Sequence, residues 1–156
     1  DRSVQDQMRQ SRLVNYHGRW VHANTSVNIK PLEWLLTEYK ASWGHSQGSV
    51  SSGESLDPIQ SLSHRIGVNV SLPQSISLNG SWEHYYNSAI RGNKHFSLAD
   101  LELTYVRRGV RYSLEWTNIF NTSRYISASY DALNSYYSEY DIRPMAVMLK
   151  VRFKLL

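Results

Sequence analysis

Asp100 and Glu102 stand two positions apart with Leu101 between them. On an extended chain that spacing puts both carboxyl groups on one side, the arrangement a general acid–base pair needs. Any polar strand face produces such pairs, so the spacing alone carries no catalysis. Gly53-Glu54-Ser55 begins like a nucleophile elbow, but Asp57 holds the place of the closing glycine and no Ser/His/Asp pattern goes with it. The histidines are His17, His22, His45, His64, His84 and His95, and none is paired at the i, i+2 spacing that would turn two rings from one strand toward a metal ion. The absence of cysteine excludes disulfides and thiolate ligands. No glycine-rich loop opens a helix to cradle a phosphate. Asn24, Asn69, Asn79 and Asn121 each begin an N-x-Ser/Thr triplet, as expected by chance in an Asn/Ser-rich chain. These residues equip the chain for binding rather than turnover: no enzyme activity, cofactor or metal is expected.

Two groups of residues suit binding. Tyr125, Tyr130, Tyr136, Tyr137 and Tyr140 cluster late in the chain, and tyrosine offers broad contact area at low entropic cost. Ligand contact, including stacking on a sugar, is one role for them; anchoring at an interface or packing within a loop is the other. The second group is ionic: Lys30, Glu38, Lys40, Arg65, Glu83, Asp100, Glu102, Arg111, Glu115, Lys150, Arg152 and Lys154. All occupy the polar side of alternating stretches, where they could meet a passing ligand or simply pair with one another and with water.

The elements that would position them repeat every two residues. In 18–30, Val21, Ala23, Thr25, Val27 and Ile29 alternate with His22, Asn24, Ser26, Asn28 and Lys30. The same alternation marks 33–43, 64–72, 75–86, 96–106, 110–118 and 145–156, giving seven expected strands. Many run 9–13 residues, longer than the five or six typical of soluble strands (about 17–20 Å) and suited to a tilted crossing of about 9–11 residues. Trp43, Trp82 and Trp116 fall on apolar faces, as an interfacial girdle would place them; Trp20 and Trp34 face the other way without a reason legible in sequence. Pro31, Pro58, Pro73 and Pro144 all lie at turns or strand edges. The stretch 124–133 is read as an extension of the 110–118 strand followed by an ordered loop, because a further crossing would reverse the chain's final direction.

Connections alternate in length. Pro31-Leu32, Pro73-Gln74 and Arg107-Arg108-Gly109 are tight; 44–60, 87–95 and 119–143 are long. Outer-membrane barrels have short periplasmic turns and long extracellular loops, so this rhythm predicts an antiparallel up-and-down β-barrel segment whose last strand runs inward to a periplasmic Leu156; the alternatives are a soluble β-sandwich binding module or a small outer-membrane barrel of another class. Composition agrees: eleven Tyr and five Trp sit in a chain of mean hydropathy −0.48. The net charge of +4 is scattered, without the basic run that nucleic acid would favour. Met145–Leu149 is the longest aliphatic run, far short of the about 20 residues of a membrane helix. The chain opens on Asp1 with no leader, so it is expected to come from a longer or processed protein.

The last sixty or so residues carry a more specific pattern. Asp100-Leu101-Glu102-Leu103-Thr104-Tyr105, a tight turn, Leu114-Glu115-Trp116-Thr117, then Asn118-Ile119-Phe120-Asn121, Tyr125, and Arg143-Pro144 before a final alternating strand resemble the C-terminus of TonB-dependent receptors of the Bacteroidota type. The upstream Lys30-Pro31-Leu32-Glu33-Trp34-Leu35 is similar in style. The resemblance implies about seven strands of a larger barrel (residues 1–156), with the plug and the earlier strands outside this sequence. It implies a protein of a Gram-negative outer membrane that imports an iron chelate, cobalamin or a glycan. The partners implied are outer-membrane lipid, TonB through the missing N-terminal part, and a surface lipoprotein. The terminal Leu156 departs from the aromatic residue that usually ends such barrels.

Overall fold

The structure is a computed structural model that describes residues 2–9, 12–50, 57–130 and 135–153, with side chains from His17 onward apart from positions 50, 129, 130 and 135. It is all-β and antiparallel, with no α-helix among the described residues. The strands are β1 Arg2–Arg9, β2 Arg12–Leu32, β3 Leu35–Val50, β4 Ile59–Leu72, β5 Ile76–Asn87, β6 His95–Arg107, β7 Val110–Thr117, β8 Arg124–Tyr130, β9 Ser135–Asp141 and β10 Ala146–Phe153. One eight-stranded sheet has the order β1-β2-β3-β4-β5-β6-β7-β10, and β8 and β9 form a separate two-stranded sheet. β1 and β10 are the open edges.

Seven of the eight strands are those that alternation marks, and three differences stand out. The first is β1, which adds a strand by pairing Arg2–Arg9 against the start of β2. Second, the Ser/Gly-rich 44–60 stretch is not all loop. β3 runs on to Val50 because Gly44–Val50 finds partners along the lengthened β2, from His22↔Gly44 to Tyr16↔Val50; only 51–58 connects β3 to β4, and Ser55 lies outside the described residues. Third, residues 124–130 do not extend β7. They pair with 135–141 as a hairpin, with Arg124↔Asp141 and Tyr130↔Ser135, while β7 hands its edge to β10 through Thr117↔Ala146. Lys154 and Leu156 lie outside the described residues.

Tight connections have the backbone such turns need. Arg108 and Gly109 both take positive φ, 49° and 78°, as a two-residue hairpin turn matching strand twist requires. The β2–β3 turn is Glu33-Trp34, not the Pro31-Leu32 expected from sequence, because Leu32 still pairs with Leu35; the Trp34 carbonyl accepts Ser71 N–H at 2.7 Å. Trp34 is therefore a turn residue whose side chain follows no strand face. Between Ile29 and Leu32 the register shifts, so Pro31, which lacks an N–H, sits at a bulge where the ladder is already interrupted.

Strand register sorts the side chains onto two faces. One is apolar and runs in rows across the sheet: Leu35, Val70, Leu78, Leu103, Leu114 and Leu149 form one row, and Leu72, Ile76, Tyr105, Tyr112 and Val151 another. The opposite face carries Lys30, Glu38, Lys40, Arg65, Glu83, Asp100, Glu102, Arg111, Glu115, Lys150 and Arg152, so every described ionic residue expected on one side shares it.

Full burial in the sheet is confined to the polar face. The buried positions of the eight-stranded sheet are Gly18, Gly48, Ile59, Asn87, Thr104 and Ser113, and all six lie on the polar face. The apolar face is most open toward the β10 edge, with Val147 at 61% and Leu149 at 71% exposure, whereas Ile66, Val68 and Val70 of β4 are half-buried. The accessible surface is 11497 Å², whereas a compact globular chain of 18.1 kDa exposes about 8,100 Å². Among the described residues no second layer covers the apolar side of the sheet.

Candidate functional site

Six of the eleven ionic residues on the polar face stand in pairs. Lys40 Nζ meets Glu38 Oε1 at 2.6 Å, Arg65 Nη1 meets Glu83 Oε1 at 2.9 Å, and Lys150 Nζ meets Glu115 Oε1 at 2.6 Å. Arg65 and Glu83 are direct cross-strand partners. Glu102 and Glu115 also face each other, and their repulsion is relieved because Lys150 donates to both oxygens of Glu115. Glu102 instead accepts Thr104 Oγ1 at 3.3 Å and Asn79 Nδ2 at 3.5 Å. Thr104 and Ser113 share a buried hydroxyl–hydroxyl bond of 3.0 Å. These exposed pairs add little stability each, and the face is nearly neutral only in sum, since Arg111 and Arg152 face each other toward the turn end.

Asn118 builds the knot that turns the chain out of this sheet. It is 4% exposed and takes φ 50°, a left-handed conformation that Asn tolerates better than most residues. Its Nδ2 donates to the carbonyls of Thr122 and Arg143, both at 2.8 Å, and its Oδ1 accepts Thr122 N–H at 2.9 Å. Its own N–H donates to Asp100 Oδ1 at 2.8 Å. Asp100 is thus tied to backbone, not paired with Glu102 in acid–base geometry. Asn121, also left-handed at φ 49°, accepts Met145 N–H at 3.1 Å. Ile119 N–H donates to the Ala99 carbonyl at 2.8 Å, and Phe120 lies exposed at the tip of the turn. The Asn118–Asn121 element and Arg143-Pro144 are therefore the two stems of one hydrogen-bonded crossing, from which the β8–β9 hairpin leaves and to which it returns.

That hairpin folds over the polar face. Tyr125 packs edge-on against Phe96 with ring centroids 5.1 Å apart, lies 5.6 Å from Tyr85 and stacks on Tyr140 at 6.2 Å. Phe96 and Tyr85 face each other across β5 and β6 on the polar side. Burial in this cluster, reinforced by the neighbouring Tyr85, raises the Tyr125 phenol above its ordinary value. Nearer the hairpin's tip, buried Asn87 donates from Nδ2 to the Ala128 carbonyl at 2.8 Å and holds Ala89 N–H with its Oδ1 at 2.9 Å. Arg124 pairs with Glu139 within the hairpin at 2.8 Å.

Between hairpin and wall lies a cavity of about 400 Å³. Tyr125 lines it from the hairpin and Ile142 from the segment just after it; Ser63, His64, Arg65, Glu83, His84, Tyr85, Phe96 and Leu98 line it from the sheet. Of the four singled-out tyrosines whose side chains are described, only Tyr125 reaches it. Tyr136, Tyr137 and Tyr140 are exposed on β9, and the Tyr130 side chain lies outside the described residues. Of the ionic set, Arg65 and Glu83 reach the cavity. Sequence reasoning misses Tyr85, Phe96 and Asn87. Their signal is parity: a large aromatic on the polar side of an alternating strand needs something on that side to pack against.

On the apolar face, register gathers residues that spacing does not. His84 Nε2 and His95 Nδ1 meet at 3.2 Å, and the Tyr39 hydroxyl meets His64 Nδ1 at 2.8 Å. Trp82 stacks on His84 and Tyr39 on His64. Among the described residues no group of three or more His, Cys, Asp or Glu is placed to hold a metal ion.

Asn87 gives a direct test of how the hairpin is held. Asn87→Ala strands the buried Ala128 carbonyl at a cost of about 1–3 kcal/mol. Hydrogen exchange across 124–141 is expected to speed up while the β4–β5 ladder is unchanged. No family model, curated protein or solved structure matches the chain.

Proposed function

We propose that this chain is a wall and loop segment of an outer-membrane β-barrel receptor for nutrient uptake, of the TonB-dependent kind its C-terminal motif resembles. The confinement of full burial to the polar face carries the reading. A sheet whose paired ions and buried hydroxyls share one face, while Leu103, Leu114, Val147 and Leu149 stay open on the other, is arranged for lipid outside and a polar lumen inside.

Three further features support it. Trp43, Tyr86, Tyr39 and Trp82 mark the loop end of the apolar face, and Tyr105 and Tyr112 the turn end. From Ile76 to Tyr86 a strand advances roughly 34 Å at about 3.4 Å per residue. A tilt of about 45° brings that to roughly 25 Å, the height of an apolar band between aromatic girdles. β2, with 21 residues, and β3, with 16, exceed this span, and the far half of β3 carries Gly, His, Ser and Gln as a water-exposed strand extension would. The edges β1 and β10 are open, and unpaired edges at membrane depth need partners, which the remaining strands of a larger barrel would supply.

In this reading the polar face lines the import path for an iron chelate, cobalamin or glycan. The β8–β9 hairpin is an extracellular loop folded inward, outer-membrane lipid covers the leucine rows, and TonB and a surface lipoprotein act through other parts of the protein. The eight-stranded count favours a second reading, since eight strands can close as a small barrel of another class.

One gel decides among these. The protein should sediment with the outer membrane of a Gram-negative cell and, unheated in detergent, migrate as a compact band that boiling shifts. A compact band at the mass of a large receptor supports uptake, and one at the mass of this chain supports the small barrel. Recovery as a soluble, detergent-free fold rejects both.

A further inference from the structure

We infer that the cavity under the β8–β9 hairpin is a subsite for a neutral sugar ring. The inference rests on the receptor reading for its role in uptake, and on the cavity itself for its chemistry. Three aromatic rings, Tyr125, Tyr85 and Phe96, give it apolar walls from two directions. A pyranose has one face of C–H groups that packs on such rings, and aromatic contacts of this kind contribute about 0.5–1.5 kcal/mol beyond area burial.

The floor supplies the complementary polar edge. Arg65 and Glu83 lie side by side, joined by a single 2.9 Å contact, with side chains 58% and 42% exposed. The guanidinium has five N–H donors, and most remain available, as does the second carboxylate oxygen. Donor and acceptor set next to each other match vicinal hydroxyls, each of which both donates and accepts. The Ser63 hydroxyl stands beside them.

Charge and size narrow the ligand further. The ion pair is balanced, so an anionic iron chelate would face the Glu83 carboxylate, and a cation would have to break the pair. The cavity, about 400 Å³, is at the small end of ligand pockets. It suits one or two sugar rings, and a corrinoid would extend well beyond it. Of the nutrient classes that suit an outer-membrane receptor, a neutral glycan is therefore the one this surface fits.

The test is titration calorimetry on the whole protein in detergent, with maltose, cellobiose and mannobiose as probes and ferric citrate and cyanocobalamin as controls. At least one disaccharide is expected to bind. Tyr125→Ala and Glu83→Gln should each weaken it by about tenfold or more, equivalent to about 1.4 kcal/mol, while Tyr125→Phe keeps the affinity within about threefold because the ring remains. The inference is overturned by no disaccharide binding, by sugar binding that neither Tyr125→Ala nor Glu83→Gln changes, or by ferric citrate or cyanocobalamin binding in the disaccharides' place. Unboiled gel mobility of each variant reports the barrel separately. A heat-modifiable barrel that binds no sugar sinks the subsite alone; a soluble protein that binds sugar through Tyr125 sinks the receptor reading and keeps the subsite.

Discussion

Asn118→Ala is expected to destabilise the protein by about 3–4 kcal/mol, more than any other substitution in the loop region. The change removes three side-chain hydrogen bonds, to the Thr122 carbonyl, the Arg143 carbonyl and the Thr122 N–H. A typical bond contributes about 1 kcal/mol net, and a buried group left unsatisfied costs about 1–3 kcal/mol. Alanine also meets a left-handed backbone, φ 50°, at an added cost of roughly 1 kcal/mol. Asn118→Gly separates the two causes: glycine accepts the backbone conformation, so it should recover about 1 kcal/mol and leave the hydrogen-bond loss. Urea unfolding in detergent measures both. Proteolysis should show the hairpin detaching first in each variant, since both of its stems run through Asn118. Equal stability of Asn118→Ala and the parent would mean that the knot does not hold the crossing together.

Leu149→Arg is the second large expectation, and its size depends on what covers the apolar face. Leu149 lies on the edge strand β10 at 71% exposure, in register with Leu114 and, through it, Leu103. If water covered that face, exchanging so exposed a leucine for arginine would change stability by no more than about 0.5 kcal/mol. Under lipid, arginine at the bilayer midplane costs about 2–4 kcal/mol, falling to about 0–1 near the interface. We expect the larger value for Leu149→Arg in liposomes and a distinctly smaller one for Phe153→Arg, which sits at the turn end of the same strand. A depth-dependent pair of values identifies a bilayer, whereas two equal, near-zero values place the face in water.

The sequence by itself determined which side of each strand is which. Side-chain direction alternates with a period of two along any strand, so the ionic set from Lys30 to Arg152 could be assigned to one face before any pairing was known. It also determined two of the turns: Arg108-Gly109 and Pro73-Gln74 interrupt alternation with residues that only a tight connection uses. Identity across strands was beyond it. That His84 meets His95, that Arg65 faces Glu83, and that β3 continues to Val50 depend on register, which a local period leaves open.

The hairpin was the least legible part. Residues 124–130 alternate well enough to read as a continuation of β7. What separates them is Asn118, whose amide gathers Thr122 and Arg143 and so brings β10 back to β7 in their place. The cavity follows from that crossing. Tyr125 reaches Tyr85 and Phe96 because the returning chain lays the hairpin across strands far from it in sequence. Short-range preferences set strand faces and turns; contacts between distant segments form only where the closed hydrogen-bond network of the tertiary structure repays the entropy of bringing them together.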